Sequence, residues 1–236
     1  MNTDQLYYED STMSGFSAEV VALKHLRGNA WEAELDRTAF YPEGGGQPSD
    51  QGTITGPNGT LAVKITRNRN GNVIHEGALT GELSIGEEVQ GEVKWPRRQK
   101  YMRIHTAGHL LHDVLVSKAD GLEATKGRHG DKAFLEYRGE VDDAVVSALG
   151  AEVNAAVAAD LPVRSWESSL DELEELCASL PPNLPLGKSL RAIQIGDFEP
   201  MPDGGVHVLT TKEIGEVVIH HVTVENGTTM IRYGVK

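Results

Sequence analysis

The strongest constraint on this chain is a change of period at Trp95-Pro96. Before it, short alternating or β-branched stretches at 18–26, 31–35, 52–55, 61–66, 73–75 and 88–93 are separated by Gly, Asn and Pro clusters at 27–29, 42–50, 56–59 and 68–72. Such clusters mark tight turns, and closely spaced short strands predict a small closed or nearly closed β-barrel over residues 1–94. Proline has no amide hydrogen for a ladder and suits the first turn of a helix, so the strand pattern ends there. The 26 glycines among 236 residues fit a turn-dense first unit.

After Arg97 the apolar and histidine positions recur at steps of three and four. Met102, His105, Thr106, His109, Leu110, Asp113 and Val116 fall on one face of a helix predicted to run to about Ser117. A second helix is expected at 141–158, Ala-rich and opened by Asp142-Asp143. A third is expected at 169–179, with Ser168 or Ser169 as cap and Glu172 placed for a capping box, and Pro181, Pro182 and Pro185 stop it. Stretches 190–195, 206–209, 215–221 and 230–235 read as strands of one sheet. Residues 95–236 therefore predict a second domain, an antiparallel sheet packed against helices, and the fold class of the whole chain is α+β.

Charge and cysteine usage narrow the function classes. With 22 Lys plus Arg against 35 Asp plus Glu, the formal charge is −13, which excludes a generally basic, histone-like nucleic-acid binder. Cys177 has no partner for an internal disulfide, which points to a reducing, cytoplasmic compartment, and its Leu173, Leu176 and Leu180 neighbourhood reads as a buried, inert thiol. The acidic first ten residues lack the pattern of a secretion signal, and no run approaches the ~20 apolar residues of a membrane span, so no membrane partner is expected.

Three motifs carry chemistry. His105 and His109 stand one helical turn apart, and Asp203 and His207 repeat the four-residue spacing inside a Gly-rich loop. Together they make a donor set acceptable to Zn²⁺, with room for a water. The alternative is a pair of solvated or core-edge histidines. His220 and His221 are expected on opposite faces of a strand, and His25, His75 and His112 in structural places. The triple glycine before Gln47 offers bare amides at Gly45 and Gly46, and Gln47 adds a donor and an acceptor for a substrate; the alternative is a barrel hairpin. It lacks the Lys and Ser/Thr of a phosphate loop. Arg97, Arg98, Lys100 and Arg103 form a local basic cluster suited to phosphates, or a solvated helix start.

Taken together, FYPEGGGQPSDQG at 40–52, RIHTAGHLLH at 103–112 and IGDFEPMPDGGVHV at 195–208, followed by EIGEVVIHHV, resemble the freestanding alanyl-tRNA editing proteins in their intermediate-length form. The resemblance implies a glycine-rich barrel, a catalytic editing domain, and a zinc-dependent hydrolase that removes serine or glycine from the tRNA for alanine. It puts His105 and His109 in the family's HxxxH ligand pair and His207 at the last position of its CxxxH. Asp203 stands where the family usually has Cys, and this harder ligand opens the site to other divalent ions. Gly108 stands where related synthetases often carry Thr. Thr106 and Asp203 are the nearest polar candidates for positioning water or the substrate amine. The implied partner is tRNA, held by the cluster from Arg97 to Arg103, and not DNA. Two rivals are a metal-dependent hydrolase of another small ester or amide, and an inactive RNA- or metal-binding relative.

Overall fold

Alternating apolar residues in the first unit close into a barrel in the computed structural model, which describes residues 2–177, 180, 184 and 190–236. Contacts divide the chain into one unit of residues up to Gly44 with Pro48–Lys100, and a second of Gly45–Gln47 with Tyr101–Lys236. The first unit contains β1 (Asp4–Gln5), β2 (Gly15–Arg27), β3 (Ala30–Leu35), β4 (Arg37–Thr38), β5 (Gly52–Thr55), β6 (Gly59–Arg69), β7 (Asn72–Gly81) and β8 (Glu88–Val93). Six of them form a closed barrel in the order β2-β3-β7-β6-β5-β8, with antiparallel pairing around it. Every second residue points inward: Phe16, Ala18 and Val20 from β2 meet Val89 and Val93 from β8, with Ile54, Leu61 and Phe40. At this strand number side chains fill the interior.

A buried ion pair ties the end of this unit to its start. Arg98 is fully buried; its Nε donates to Asp50 Oδ2 at 2.8 Å, Nη1 to the Ser11 carbonyl at 2.9 Å, and Nη2 to Ala39 and Asp50. Asp50 also accepts from the Tyr41 amide at 2.7 Å. The sequence-based expectation that Arg98 faces a phosphate is therefore corrected: its donors are spent inside the protein.

In the second unit α2 (Asp143–Ala158) buries Leu149, Val153 and Val157, a stripe at four-residue spacing. Helix α1 spans Trp95–Val116 and α3 spans Leu170–Leu176. Ser169 and Glu172 make the expected capping box, but α3 ends at Leu176 with Cys177 already extended, short of the expected 179, and the expected stop at Pro181, Pro182 and Pro185 lies outside the described residues. Cys177 follows α3, half-buried against the small cluster of Leu173, Leu190 and Ala192.

The strands β9 (Glu123–Arg128), β10 (Phe134–Arg138), β11 (Val163–Ser168), β12 (Leu190–Ile195), β13 (Met201–Pro202), β14 (Val217–Glu225) and β15 (Thr228–Val235) form two antiparallel sheets, not the one expected. Their orders are β14-β15-β10-β9 and β11-β12-β13. Residues 206–208 join neither. The Val206 amide donates to Gln47 Oε1 and the Val208 amide to Thr106 Oγ1, both at 3.3 Å, so side chains take the hydrogen bonds a ladder needs. A bulge at His220 interrupts β14, and both His220 and His221 are exposed, which removes the expected alternation. Asn154 of α2 clasps both the amide and the carbonyl of Val217, fixing that helix to β14. Among the described residues no helix is long and apolar enough to cross a membrane.

Candidate metal centre

His105 and His109 leave one face of α1 a turn apart and meet Asp203 and His207 from the loop after β13. One ligand atom from each lies within 4.8 Å of the others. Asp203 Oδ1 is 3.4 Å from His105 Nε2 and 3.6 Å from His109 Nε2, and Oδ2 is 2.8 Å from His207 Nε2. A tetrahedral zinc site with bonds of about 2.0–2.1 Å has donor edges of about 3.3 Å. The two Oδ1 distances are close to such edges.

The outer partners assign the proton on each ring. Gln47 Oε1 accepts from the Val206 amide and lies 2.8 Å from His105 Nδ1, so His105 carries its hydrogen on Nδ1. Thr106 Oγ1 donates its single hydrogen to the Met102 carbonyl at 2.9 Å, so His207 Nδ1, 3.2 Å away, is the donor. His109 Nδ1 faces the thioether of Met201, which can only accept. His105 and His109 thus turn a bare Nε2 toward one carboxylate, and His207 Nε2 lies at hydrogen-bond distance from it, 2.8 Å from Asp203 Oδ2. His105 Nε2 and His109 Nε2 are buried without a hydrogen-bond partner. Lone pairs gathered around a carboxylate repel one another unless a cation lies between them, so the donor set fits a divalent metal.

Backbone geometry permits this approach. A Cβ on Gly205 would lie 2.2 Å from His105 Cε1, so only glycine lets the loop pass the ring and deliver Asp203. The Gly205 amide donates to Asp203 Oδ2 at 2.5 Å and holds the carboxylate in place. Burial pushes His105 toward its neutral form and His207 down to about 3. Burial opposes charge on Asp203 as well, but the imidazoles around it outweigh that and hold its carboxyl well below the ordinary range.

The other predicted residues divide. Gln47 is buried and its Nε2 has no partner, which leaves one N–H pair for a ligand. Gly45 and Gly46 are exposed beside it. Thr106 is buried and its hydroxyl serves Met102, Val208 and His207, so it orients a ring and does not address open space. Arg103 donates to the Ile214 carbonyl at 2.8 Å and to the Lys236 carbonyl. Arg97 donates to the Ser49 carbonyl and is half-buried, and Lys100 is exposed.

His129 has no role in the sequence reading, yet its ring lies 4.1 Å from that of His105 at 26°. Burial pushes its pKa well below the ordinary value. It has no spaced partner; its only local mark is the flanking pair Gly127 and Gly130 in a polar connection.

Comparison with known proteins places this geometry. The family model for class II (A) tRNA synthetases matches residues 2–97. Over 219 residues the chain is 36% identical to alanyl-tRNA editing protein AlaX-L of Pyrococcus horikoshii, covering 92% of this chain and 54% of that protein. It is 31% identical over 245 residues to alanyl-tRNA editing protein AlaX-M of Saccharolobus solfataricus, covering 99% of each. The alanine–tRNA ligase of Halorubrum lacusprofundi is 32% identical over 236 residues, 97% of this chain and 25% of that enzyme. The chain thus spans about half of AlaX-L, a quarter of the ligase and nearly all of AlaX-M. A correspondence that runs end to end through both the barrel and the histidine cluster leaves one assignment: the chain belongs to the alanyl-tRNA editing protein family.

Proposed function

We propose that this chain is a metal-dependent deacylase that removes serine or glycine from mischarged alanine tRNA, in the cytoplasm where tRNAs are charged. The observation that carries this reading is the convergence of three histidine Nε2 atoms, two of them without a hydrogen-bond partner, on Asp203 in a chain matched along 99% of its length by an alanyl-tRNA editing protein. Zn²⁺ is the ion that His105, His109, Asp203 and His207 suit best, and the carboxylate keeps the site open to Mn²⁺ or Co²⁺. When bound, such an ion supplies Lewis acidity toward an ester carbonyl and toward a water.

The chain's own groups supply the rest. Gln47 Nε2 offers a donor to the aminoacyl ester, and its buried position makes that hydrogen bond stronger than in water. The exposed backbone at Gly45 lets the terminal nucleotide approach the loop, while the bare Cα of Gly46 makes room for Gly127 and His129. Lys100 and the half-buried Arg97 are the members of the basic cluster suited to phosphates, whereas Arg98 and Arg103 act within the fold. An aminoacyl ester is labile, so positioning accounts for much of the acceleration needed. Discrimination against alanine requires a pocket that senses a hydroxyl or a missing methyl, the problem a second hydrolytic sieve exists to solve.

Alanine tRNA charged with serine, glycine or alanine tests the reading, using metal-loaded protein, chelated protein and His105→Ala in parallel. Metal- and His105-dependent release of serine or glycine, with alanine spared, is the expected result. Retention of all three esters by protein that holds metal overturns it and points to another ester substrate.

A further inference from the structure

Beside the four converging side chains stands a second polar assembly that donates no ligand atom to them. His129 Nδ1 lies 2.7 Å from Tyr233 Oη, and Tyr233 Oη donates to the Ile104 carbonyl of α1 at 3.2 Å. Because the tyrosine hydrogen is used there, His129 is the donor of the first bond. Its ring lies 4.1 Å from His105 at 26° and 5.9 Å from His109 at 14°, so it is nearly parallel to both. With its Nδ1 committed to Tyr233, His129 contributes no atom to the converging set.

We infer that His129, locked by Tyr233 across Gly108, is a positioning residue that fixes the plane of His105 and thereby aims its Nε2 at the metal. This inference rests on the metal reading above. One hydrogen bond, from Nδ1 to Gln47, leaves an imidazole free to swing about that bond. A second ring against its face removes the swing, and a metal bond depends on where the lone pair points. The loop couples the two restraints: the Gly46 carbonyl accepts from the His129 amide at 2.8 Å while its neighbour Gln47 holds His105. Gly108 is part of the same device. A Cβ there would lie 2.4 Å from Tyr233 Oη and 2.6 Å from His129 Nδ1, so the bridge occupies the space of the absent side chain.

Zinc dissociation constants from competition with a chromophoric chelator test this, on folded protein and well below the unfolding temperature. Outer-sphere partners of metal-bound histidines change affinity by about 10- to 100-fold, so Tyr233→Phe is expected to raise the Kd about tenfold and His129→Ala by more. Ile231→Ala, a truncation in the same strand as Tyr233, loses stability and keeps the Kd within about twofold of the parent. Gly108→Ala alone weakens zinc, and in the His129→Ala, Tyr233→Phe background it costs little more. Imidazole ¹⁵N shifts of the metal-free protein give a second readout, since release of His105 mixes its two tautomers. Should His129→Ala fail to fold, Tyr233→Phe, which loses one oxygen, still decides. Parent-like Kd and parent-like His105 shifts in folded variants overturn the inference while leaving the metal site standing. A parent protein that binds no zinc removes the metal reading itself, and this inference with it.

Discussion

Gln47 Oε1 lies 2.8 Å from His105 Nδ1 and accepts from the Val206 amide at 3.3 Å, so one side chain fixes both a histidine tautomer and the loop that carries Asp203. The amide has two ends with two jobs. Oxygen faces the outer edge of the cluster, and Nε2 is left for a ligand.

Substitutions at Gln47 separate those jobs. Gln47→Ala removes the acceptor and is expected to weaken zinc by about 10- to 100-fold. Gln47→Glu keeps an acceptor for His105 but loses the amide hydrogens, so zinc stays bound while deacylation slows by about 10- to 1,000-fold, the range for a lost oxyanion donor. Parallel zinc titrations and single-turnover deacylation give the split. Equal losses of affinity and rate in Gln47→Glu would show that Nε2 contacts no substrate.

Asp203 sets which ion wins. Asp203→Cys replaces a hard oxygen with a soft thiolate and is expected to strengthen zinc relative to Mn²⁺ by more than about tenfold. Asp203→Asn keeps the shape but loses the charge around which three imidazoles gather, and should weaken every divalent ion. Competition between the two metals, read by elemental analysis after dialysis, distinguishes a ligand from a bystander. Unchanged selectivity in Asp203→Cys would place Asp203 outside the coordination sphere.

Local periodicity made some of this legible. The His105–His109 spacing, the switch at Trp95-Pro96 and the Ser169–Glu172 capping box are relations within one or two turns, and each stands in the structure as the pattern predicts. What stayed hidden depends on distant partners. Strand β9 reads as a polar connection because nearly all of its residues are exposed, and its pairing with β10 leaves no apolar alternation to detect. The second sheet pairs β11 with β12 across 22–32 residues, and the extended run at 206–208 follows from hydrogen bonds across more than 100 residues, Val208 to Thr106 among them. His129 reaches Tyr233 across 104 positions. Arg98 looks like a solvated cation because its partner, Asp50, lies 48 residues away.

That buried pair is a stability element. Removing one member strands the other charge in the core, so Arg98→Ala is expected to cost about 3–5 kcal/mol. Lys100→Ala, at an exposed site two residues on, should stay within about 0.5 kcal/mol and instead reduce the salt dependence of tRNA binding by about one ion. Urea unfolding and a salt series separate the two. A parent-like midpoint for Arg98→Ala would contradict its place in the core.

The pH dependence of stability has an identifiable contributor in the barrel, far in sequence from the cluster. His75 is fully buried, with Nδ1 3.0 Å from the Ala33 carbonyl and Nε2 2.9 Å from Thr38 Oγ1. The carbonyl can only accept, so Nδ1 carries a hydrogen. Burial pushes its pKa down to about 4, opposed weakly by the Ala33 hydrogen bond. Between the ordinary value near 6.5 and about 4, the unfolded chain holds a proton at this site and the native barrel does not, so stability falls as pH falls through that window and levels off below it. The full effect is about 3 kcal/mol, with a slope approaching 1.4 kcal/mol per pH unit. Urea midpoints from pH 7 to 4 in the parent and in His75→Gln should show the variant less stable at pH 7 but flatter by about one proton. Equal slopes in the two proteins would mean that His75 titrates normally and is not held neutral by the barrel.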